Sequence, residues 1–299
     1  MRSVWACLVF LLSVDFSAGA AVYHVDPADG PLRTHVALKL RPGDTVLFRR
    51  GSEFRGVGLY PPDGTREAPI TLGAYGEGPR PKFIGPGKGR RSVAGGRKHL
   101  RFEGLEFSDC SIHGYTTDNA EDVRLADCAF FRIGGEPWGK DPRIHYGNAV
   151  EFWQSCRDVV VTNCVFDQIY DSGVTTQGPH ADCGPFENVD IVGCTFSNFG
   201  MAALEIRDRV PRGMRFTGNV CRKGGRGFSS DGLPRPRNSE IWPEPMGHNV
   251  FVWRLDGAEP RGDLDLRGND FEKPEFGENV YFHGVADAAR AQIRMGDRR

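Results

Sequence analysis

VVVTNCVF (residues 159–166) and VDIVGCTF (residues 189–196) share an eight-residue pattern that decides the fold of this chain. The same pattern returns in four further segments: LRFEGLEF (100–107), VRLADCAF (123–130), MRFTGNVC (214–221) and LDLRGNDF (264–271). The starts of the six segments lie 23, 36, 30, 25 and 50 residues apart. Because the last gap is twice 25, the spacing predicts two coils there.

Each position of the pattern has a structural meaning. Positions one and three are apolar and positions two and four mostly polar, which is typical of a strand with one buried face. Position five is Gly, Asp or Asn, residues that tolerate positive φ, so we expect a corner there. Position six holds Leu, Cys or Asn, and position eight holds mostly Phe. These two positions predict two internal ladders of stacked side chains. Such coils bury their apolar faces only by stacking, so the repeat predicts an all-β parallel solenoid.

A second column of strands alternates with the first. Its predicted members are NAVEFWQ (148–154), GVTTQG (173–178), AALEIRD (202–208), GFSSDG (227–232) and, less regularly, FVWR (251–254). Strand alternation places one set of side chains on a shared outward face: Glu151, Trp153, Thr175, Gln177, Glu205, Arg207, Ser229 and Asp231.

Composition limits the class of protein. The 299 residues are 39% hydrophobic with 39 Gly and 20 Pro, which favours a folded chain rich in strands and turns. The formal charge of −1 predicts no nucleic-acid partner. Without Cys7, which lies in the N-terminal apolar segment, the chain has seven cysteines, an odd number that cannot pair completely. Three of them recur at one position of the repeat, so we expect the cysteines to be buried core residues.

The N-terminus has the pattern of an export signal. Arg2 precedes an apolar run from Val4 to Leu12, and Ala18-Gly19-Ala20 resembles a cleavage site. Residues 1–20 are therefore predicted to be a cleaved signal peptide, which indicates a secreted or periplasmic protein. No later segment is apolar enough to predict a membrane span.

The opening of the mature chain resembles a known superfamily. PGDTVLFRRGSEFRG (42–56) and PPDGTREAPITLGAYGEG (61–78) are similar to the first coil of bacterial proteins of the pectin-lyase-like superfamily, which includes polysaccharide lyases, some glycoside hydrolases and epimerases. With the repeats, the resemblance covers residues 21–284. It implies a single-stranded right-handed parallel β-helix, an extended polysaccharide as partner, and calcium as a cofactor that lyases of the superfamily often use. Residues 285–299 are predicted to be a short cap or a tail.

Three insertions next to the second column are expected to wall a groove, because long loops of a compact solenoid often carry function. They are residues 134–147, 178–187 and 232–249. Aromatic and imidazole side chains suit sugar rings, and the insertions supply Trp138, His145, Tyr146, His180, Trp242 and His248.

The groove floor carries two carboxylates. Glu151 and Glu205 are predicted two coils apart, about 9.6 Å, near the upper limit of the roughly 6.5–9.5 Å that separates the carboxyl groups of an inverting glycosidase. Trp153, Gln177, Arg207 and Asp231 form the adjacent row. Arg207 and Asp231 are expected one coil apart, where a surface ion pair is the alternative interpretation.

The same face also fits a lyase. Elimination from a uronic-acid polymer needs a cation that neutralises the carboxylate, which Arg207 supplies, and a base, for which Tyr146, His145 and His180 are candidates. Asp171 fits three roles: catalytic acid, calcium ligand, or turn residue that hydrogen-bonds its own backbone. No DxDxDG-like run supports a calcium site.

The sequence therefore predicts a secreted protein that binds an acidic, uronic-acid-containing polysaccharide and cleaves it, with β-elimination favoured over inverting hydrolysis. The candidate catalytic residues are Glu205, Arg207, Tyr146, His145, Glu151, Asp171 and His180. The candidate substrate-binding residues are Trp153, Gln177, Trp138, Asp231, Trp242 and His248. The alternative is a non-catalytic envelope or surface β-helix that binds glycan or a protein partner, since a fold alone does not decide function. Oligomeric state stays open.

Overall fold

A computed structural model describes residues 19–29, 40–85, 92–138, 141–178, 184–207, 209–226, 246–253, 262–285, 290 and 293–295. Most of the predicted signal peptide and the candidate residues His180, Asp231 and Trp242 lie outside these ranges.

The described chain is built almost entirely from strands, with one 3₁₀ turn at Pro27–Asp29. The strands of the first half are β1 (Val22–Val25), β2 (Thr45–Arg49), β3 (Glu53–Arg55), β4 (Ile70–Tyr75), β5 (Lys82–Ile84), β6 (Ser92–Gly95), β7 (Lys98–Glu103), β8 (Glu106–Cys110), β9 (His113–Ala126), β10 (Ala129–Ile133), β11 (Glu136–Trp138) and β12 (Asp141–Tyr146). Those of the second half are β13 (Val150–Thr162), β14 (Val165–Ile169), β15 (Ser172–Gln177), β16 (Phe186–Val192), β17 (Thr195–Phe199), β18 (Ala202–Arg207), β19 (Met214–Thr217), β20 (Val220–Arg222), β21 (His248–Trp253), β22 (Gly262–Asp265), β23 (Asp270–Phe271), β24 (Val280–His283) and β25 (Ile293–Met295).

These strands form a parallel β-solenoid with three faces. The first face contains β1, β2, β4, β7, the second halves of β9 and β13, β16, β19, β22 and β25. The second face is the eight-stranded sheet from β23 to β3. The third face contains β6, the first halves of β9 and β13, β15, β18, β21 and β24. Because β9 and β13 turn from the third face into the first, these two faces form one 15-stranded sheet.

The repeat is confirmed in its register and in its corners. Residues at equal pattern positions pair directly, as Phe107, Phe130, Phe166 and Phe196 do across four neighbouring strands. The residues at position five all adopt φ between 52° and 69°, in the left-handed region that Gly, Asp and Asn tolerate. The predicted corner therefore follows from residue types that accept this backbone conformation.

Two ladders fill the interior, as the repeat predicts. The rings of Phe107, Phe130, Phe166 and Phe196 lie 5.3, 5.0 and 4.5 Å apart in succession and are nearly parallel. In the other ladder, Asn219 accepts from the Cys194 backbone N–H at 2.9 Å and donates to the Ile191 carbonyl at 3.0 Å. The six described cysteines are buried and unbridged, as expected of core cysteines. Burial raises the pKa of the Cys110 thiol to about 11, which keeps it unreactive.

Two predictions about coil number were wrong. Met214 pairs directly with Leu264 and Cys221 with Phe271, so the 50-residue gap is one coil lengthened by insertions and not two coils. The strand beside β18 is β21, in the place predicted for the segment 227–232, which lies outside the described residues. Spacing alone misleads here because an insertion adds residues without adding a hydrogen-bonded strand.

The described ends of the chain continue the sheet. β1 pairs with β2, and β25 pairs with β22 over Gly262–Leu264, so part of the segment 285–299 is a strand. The described residues contain no helix with the length and hydropathy of a transmembrane span.

We expect Phe166→Ala to lower the free energy of unfolding by about 3–5 kcal/mol, because the ring is buried between two stacked neighbours and its loss leaves a cavity. Val165→Ala is the matched control, since Val165 is 39% exposed, and should cost less than about 1 kcal/mol. Denaturant unfolding measures both. Equal losses in the two variants would contradict the ladder as a source of stability.

Candidate functional site

Parallel pairing lines up two outward rows on the third face. We name as the Glu row the in-register residues Thr116, Glu151, Thr175, Glu205, Phe251 and Tyr281. We name as the Arg row the positions two residues further along each strand: Asp118, Trp153, Gln177, Arg207, Trp253 and His283. The predicted outward face is therefore present, but most of its polar side chains are buried rather than open to solvent.

Glu151 lies at the centre of a buried hydrogen-bond network and is 8% exposed. Its Oε1 accepts from Thr116 Oγ1 at 2.9 Å and lies 3.4 Å from His113 Nε2. Its Oε2 accepts from Asn148 Nδ2 at 3.1 Å and from Gln177 Nε2 at 2.5 Å. Three hydrogen bonds and the nearby His113 ring thus surround the Glu151 carboxylate.

The tautomer of His113 follows from its partners. The Asn148 backbone N–H donates to His113 Nδ1 at 3.2 Å, so Nδ1 carries no proton. In the neutral imidazole the proton is therefore on Nε2, which faces Glu151 at 3.4 Å. Both ring nitrogens of His113 are thus engaged within the network.

A second chain of contacts joins Glu151 to Glu205. Gln177 Oε1 accepts from Arg207 Nη1 at 2.9 Å, and the Arg207 guanidinium lies 4.8 Å above the Trp253 ring. Trp253 Nε1 donates to Glu205 Oε1 at 2.7 Å. With His113 and Thr116 of β9, the network thus spans five neighbouring strands, β9, β13, β15, β18 and β21.

Glu205 is 2% exposed and differs from an ordinary surface carboxyl group. Burial raises the pKa of Glu205, although the Arg207 charge and the hydrogen bond from Trp253 oppose the shift. Ser172 Oγ hydrogen-bonds to the other oxygen of the carboxyl at 3.2 Å. Burial thus disfavours the charged form of Glu205, whereas the Arg207 charge and the hydrogen-bond donors around the carboxyl group favour it.

The insertion 134–147 forms a β-hairpin beside the network. β11 and β12 pair antiparallel, with Glu136 opposite Tyr146. The ends of the insertion meet at Gly134 and Gly147, where a Cβ on Gly147 would lie 2.3 Å from the Gly134 Cα, so only glycine fits. Asp171 Oδ2 accepts from the Gly147 backbone N–H at 2.8 Å. Asp171 therefore fixes the base of the hairpin from a neighbouring coil.

The hairpin brings Tyr146 to the edge of the network. The half-buried Tyr146 ring packs edge-on against His113, with centroids 5.9 Å apart. His145 Nδ1 lies 2.9 Å from the Gly135 carbonyl oxygen, which can only accept, so Nδ1 carries the proton. Tyr146 thus reaches the Glu151 end of the third face, whereas His145 is bound to the hairpin backbone.

The other end of the third face is aromatic. Phe251 stacks with Trp253 at 5.6 Å and with Tyr281 at 5.9 Å. His248 is 1% exposed, stacks on Tyr281 at 4.4 Å, and accepts at Nδ1 from the Glu278 N–H at 2.9 Å. His248 is therefore packed within this cluster instead of projecting from a loop wall.

The remaining predicted site residues are only partly joined to the network. Half-buried Trp153 lies between Asp118 and Gln177 in register. Trp138 lies in β11, and its side chain is outside the described part of the structure, like His180 and Trp242. The predicted neighbour of Arg207 was wrong: Trp253 stands opposite Arg207, in the position assigned to Asp231, because β21 follows β18.

Sequence reasoning missed His113, Thr116, Asn148, Ser172 and Trp253. The signals are present: YTTD (115–118) repeats the alternation of VEFW (150–153), and Trp253 follows Phe251 by two residues. Extension of the second column by one strand at its N-terminal end would have placed Thr116 in the Glu row, and strand alternation within the predicted member FVWR would have placed Trp253 in the Arg row.

A calcium site does not fit the described residues. Among them, no group of three or more His, Cys, Asp or Glu side chains is arranged to hold a metal ion. The Asp171 carboxylate is 6% exposed and binds a backbone N–H.

Comparison with known proteins supports the fold. No protein-family model and no curated protein matches the chain in sequence. Among solved structures, the GH136 lacto-N-biosidase from Eubacterium ramulus has a TM-score of 0.62 at 17% identity, over 88% of this chain and 55% of that chain. The alginate lyase from Paenibacillus sp. str. FPU-7 has a TM-score of 0.47 at 13% identity, over 92% and 99% of the two chains. A rhamnogalacturonan lyase has a TM-score of 0.43 at 13% identity, over 93% and 87%. The likeness to the lacto-N-biosidase shows a shared fold, and this chain spans about half of that protein's length.

We expect Glu205→Gln to flatten the dependence of stability on pH. A carboxyl group with a raised pKa stabilises the folded state fully below its unfolded value, here 4.5, and that contribution is lost as pH rises through the folded pKa. The variant should therefore gain stability relative to wild type as pH rises above 4.5. Denaturant unfolding across pH measures this gain.

The exposed pair Glu53–Arg55 supplies the control, since Glu53→Gln should leave the pH profile nearly unchanged. Parallel profiles for wild type and Glu205→Gln would show that Glu205 titrates alike in the folded and unfolded chain, against our interpretation.

Proposed function

We propose that the third face binds an acidic, uronic-acid-containing polysaccharide and cleaves it by β-elimination. The observation that carries this proposal is the placement of Arg207, whose half-buried guanidinium is held by Gln177 and Trp253 beside the buried Glu205. A guanidinium held in place by an amide and an aromatic ring is suited to an anionic ligand. A uronate carboxylate fits the planar guanidinium.

Arg207 supplies the electrostatic part of the reaction. Neutralisation of the uronate carboxylate acidifies the adjacent C5–H, because the developing negative charge delocalises into that carboxylate. The low exposure around Trp253 and Glu205 strengthens the interaction, since water screens charges less there.

Tyr146 is the base that we propose. In its phenolate form it takes the C5 proton, the electron pair forms the C4–C5 double bond, and the C4–O bond breaks. The phenol then returns the proton to the leaving oxygen, so that protons and electrons balance without a further reactant. His113 is a less suitable base because its Nδ1 accepts from Asn148 and its Nε2 faces Glu151.

Inverting hydrolysis is the second candidate. Its support is the register, which sets Glu151 and Glu205 two strands apart, about 9.6 Å. Hydrolysis needs a base that activates water, and the buried Glu151 already accepts three hydrogen bonds. The low exposure of Glu151 therefore favours elimination.

We also propose the finer features that the sequence indicates. The solenoid is a single-stranded right-handed β-helix of the pectin-lyase-like superfamily, and residues 1–20 direct export to the periplasm or the exterior. The recurrent coil pattern and the opening segment 42–78 support the first statement. The basic start, apolar run and Ala18-Gly19-Ala20 site support the second.

Arg207→Ala should lower the rate of cleavage about 100-fold, because the substrate carboxylate loses its counter-charge. The assay incubates the protein with alginate, polygalacturonate and hyaluronan and follows the ultraviolet absorbance of the unsaturated uronic product. Arg215→Ala is the matched control, since Arg215 pairs with Asp190 on the first face and should not affect cleavage. Full activity of Arg207→Ala would place the reaction elsewhere.

Tyr146→Phe should lower elimination about 100-fold while polysaccharide affinity is kept, because only the proton-transferring hydroxyl is removed. Affinity electrophoresis on the same polysaccharides measures binding. New reducing ends without ultraviolet absorbance would instead establish hydrolysis, and retardation without any product would establish a glycan-binding protein.

A further inference from the structure

Tyr60 extends the Glu row beyond its described polar residues. Leu59 bridges Ala94 in parallel, and the Leu59 N–H and carbonyl bond to Val93 and Gly95 at 2.7 and 3.0 Å. The next residue, Tyr60, therefore stands beside Gly95, which pairs with Thr116 in the Glu row. Continued register places Tyr60 at the N-terminal end of the row that leads to Glu151 and Glu205.

The Tyr60 ring is exposed and rests on glycine backbone. It is 48% exposed, and it is the one aromatic side chain among the large apolar residues exposed in the described ranges. A Cβ on Gly95 would lie 3.1 Å from two ring carbons, and a Cβ on Gly58 would lie 2.4 Å from another. Glycines at both positions thus leave space for the ring to lie against the chain.

The backbone under the ring is fixed. The buried Tyr115 hydroxyl donates to the Gly96 carbonyl at 2.7 Å, and β6 is paired with β9 from Ser92 to Gly95. Single exposed apolar side chains are common and need no special role. Tyr60 differs because its ring is held on a rigid support in line with the candidate site.

The side chains of the Glu row between Tyr60 and the polar network are small. Gly95 has no side chain and Thr116 has a small one, whereas Glu151 begins the network. The ring lies over Gly95, two strands or about 9.6 Å from Glu151. An extended chain of sugars along the solenoid axis would thus pass from Tyr60 to the network without a large side chain of the Glu row in between.

We propose that Tyr60 is a distal stacking platform for a sugar ring of the polysaccharide bound on the third face. This inference rests on the proposed function, because it assumes that the glycan lies along the Glu row. The apolar face of a pyranose fits an exposed aromatic ring, and Tyr presents such a ring with little conformational entropy to lose. Tyr60 then contributes to the affinity for long chains and not to the chemical step.

The test measures binding separately from cleavage. Calorimetry in the Tyr146→Phe background compares short and long oligosaccharides of alginate and of polygalacturonate. Tyr60→Ala should weaken the binding of long oligosaccharides about tenfold, the upper range for one aromatic stack, and leave short ones unchanged. Tyr60→Phe, which keeps the ring, should bind like its parent.

Tyr75→Ala is the matched control, since it removes a tyrosine of the first face. Unchanged binding of long oligosaccharides by Tyr60→Ala, or equal loss for short and long ones, would overturn the platform. Binding without cleavage by the wild-type chain, with the length-dependent loss intact, would overturn only the proposed reaction. Failure of the wild-type chain to bind any of these probes would overturn both.

Discussion

In-register stacking of parallel strands is the constraint on which the rest of the structure depends. With neighbouring coils about 4.8 Å apart, each side chain meets its counterparts in the coils before and after it. Inside the solenoid this favours like on like, because aromatic rings stack and an Asn satisfies the backbone of the adjacent corner. The ladder through Phe130, Phe166 and Phe196 and the bonds of Asn219 to the preceding coil are the result.

The same constraint acts in the opposite sense on the outer surface, where like charges in adjacent coils would repel. The Glu row avoids this by setting Thr175 between Glu151 and Glu205. The Arg row places the neutral amide of Gln177 beside Arg207. The Gln177 side chain donates a hydrogen bond to Glu151 and accepts one from the Arg207 guanidinium. Burial of Glu151 and Glu205 is tolerable because both accept hydrogen bonds, most of them from the neighbouring strands.

The fold was largely predictable because register is a property of the sequence pattern. The pairing of the six repeats, their corners, and the outward direction of Glu151 and Glu205 follow from two-residue alternation. The number of coils did not follow, because an insertion and an additional coil lengthen the sequence alike. That ambiguity set Asp231 beside Arg207, where hydrogen bonding places Trp253. The role of His113 also required the structure, since its contact with Tyr146 depends on a hairpin fixed by Asp171 from another coil.

Arg207 lies where the polar and aromatic parts of the third face meet. On one side Gln177 links it to Glu151, and on the other it lies over Trp253, which also binds Glu205. The aromatic cluster lowers the local polarity, which raises the pKa of Glu205 and strengthens any charge interaction of Arg207. The apolar packing of β21 therefore does more than stabilise the solenoid, because Trp253 also positions the Arg207 guanidinium and binds the Glu205 carboxyl group.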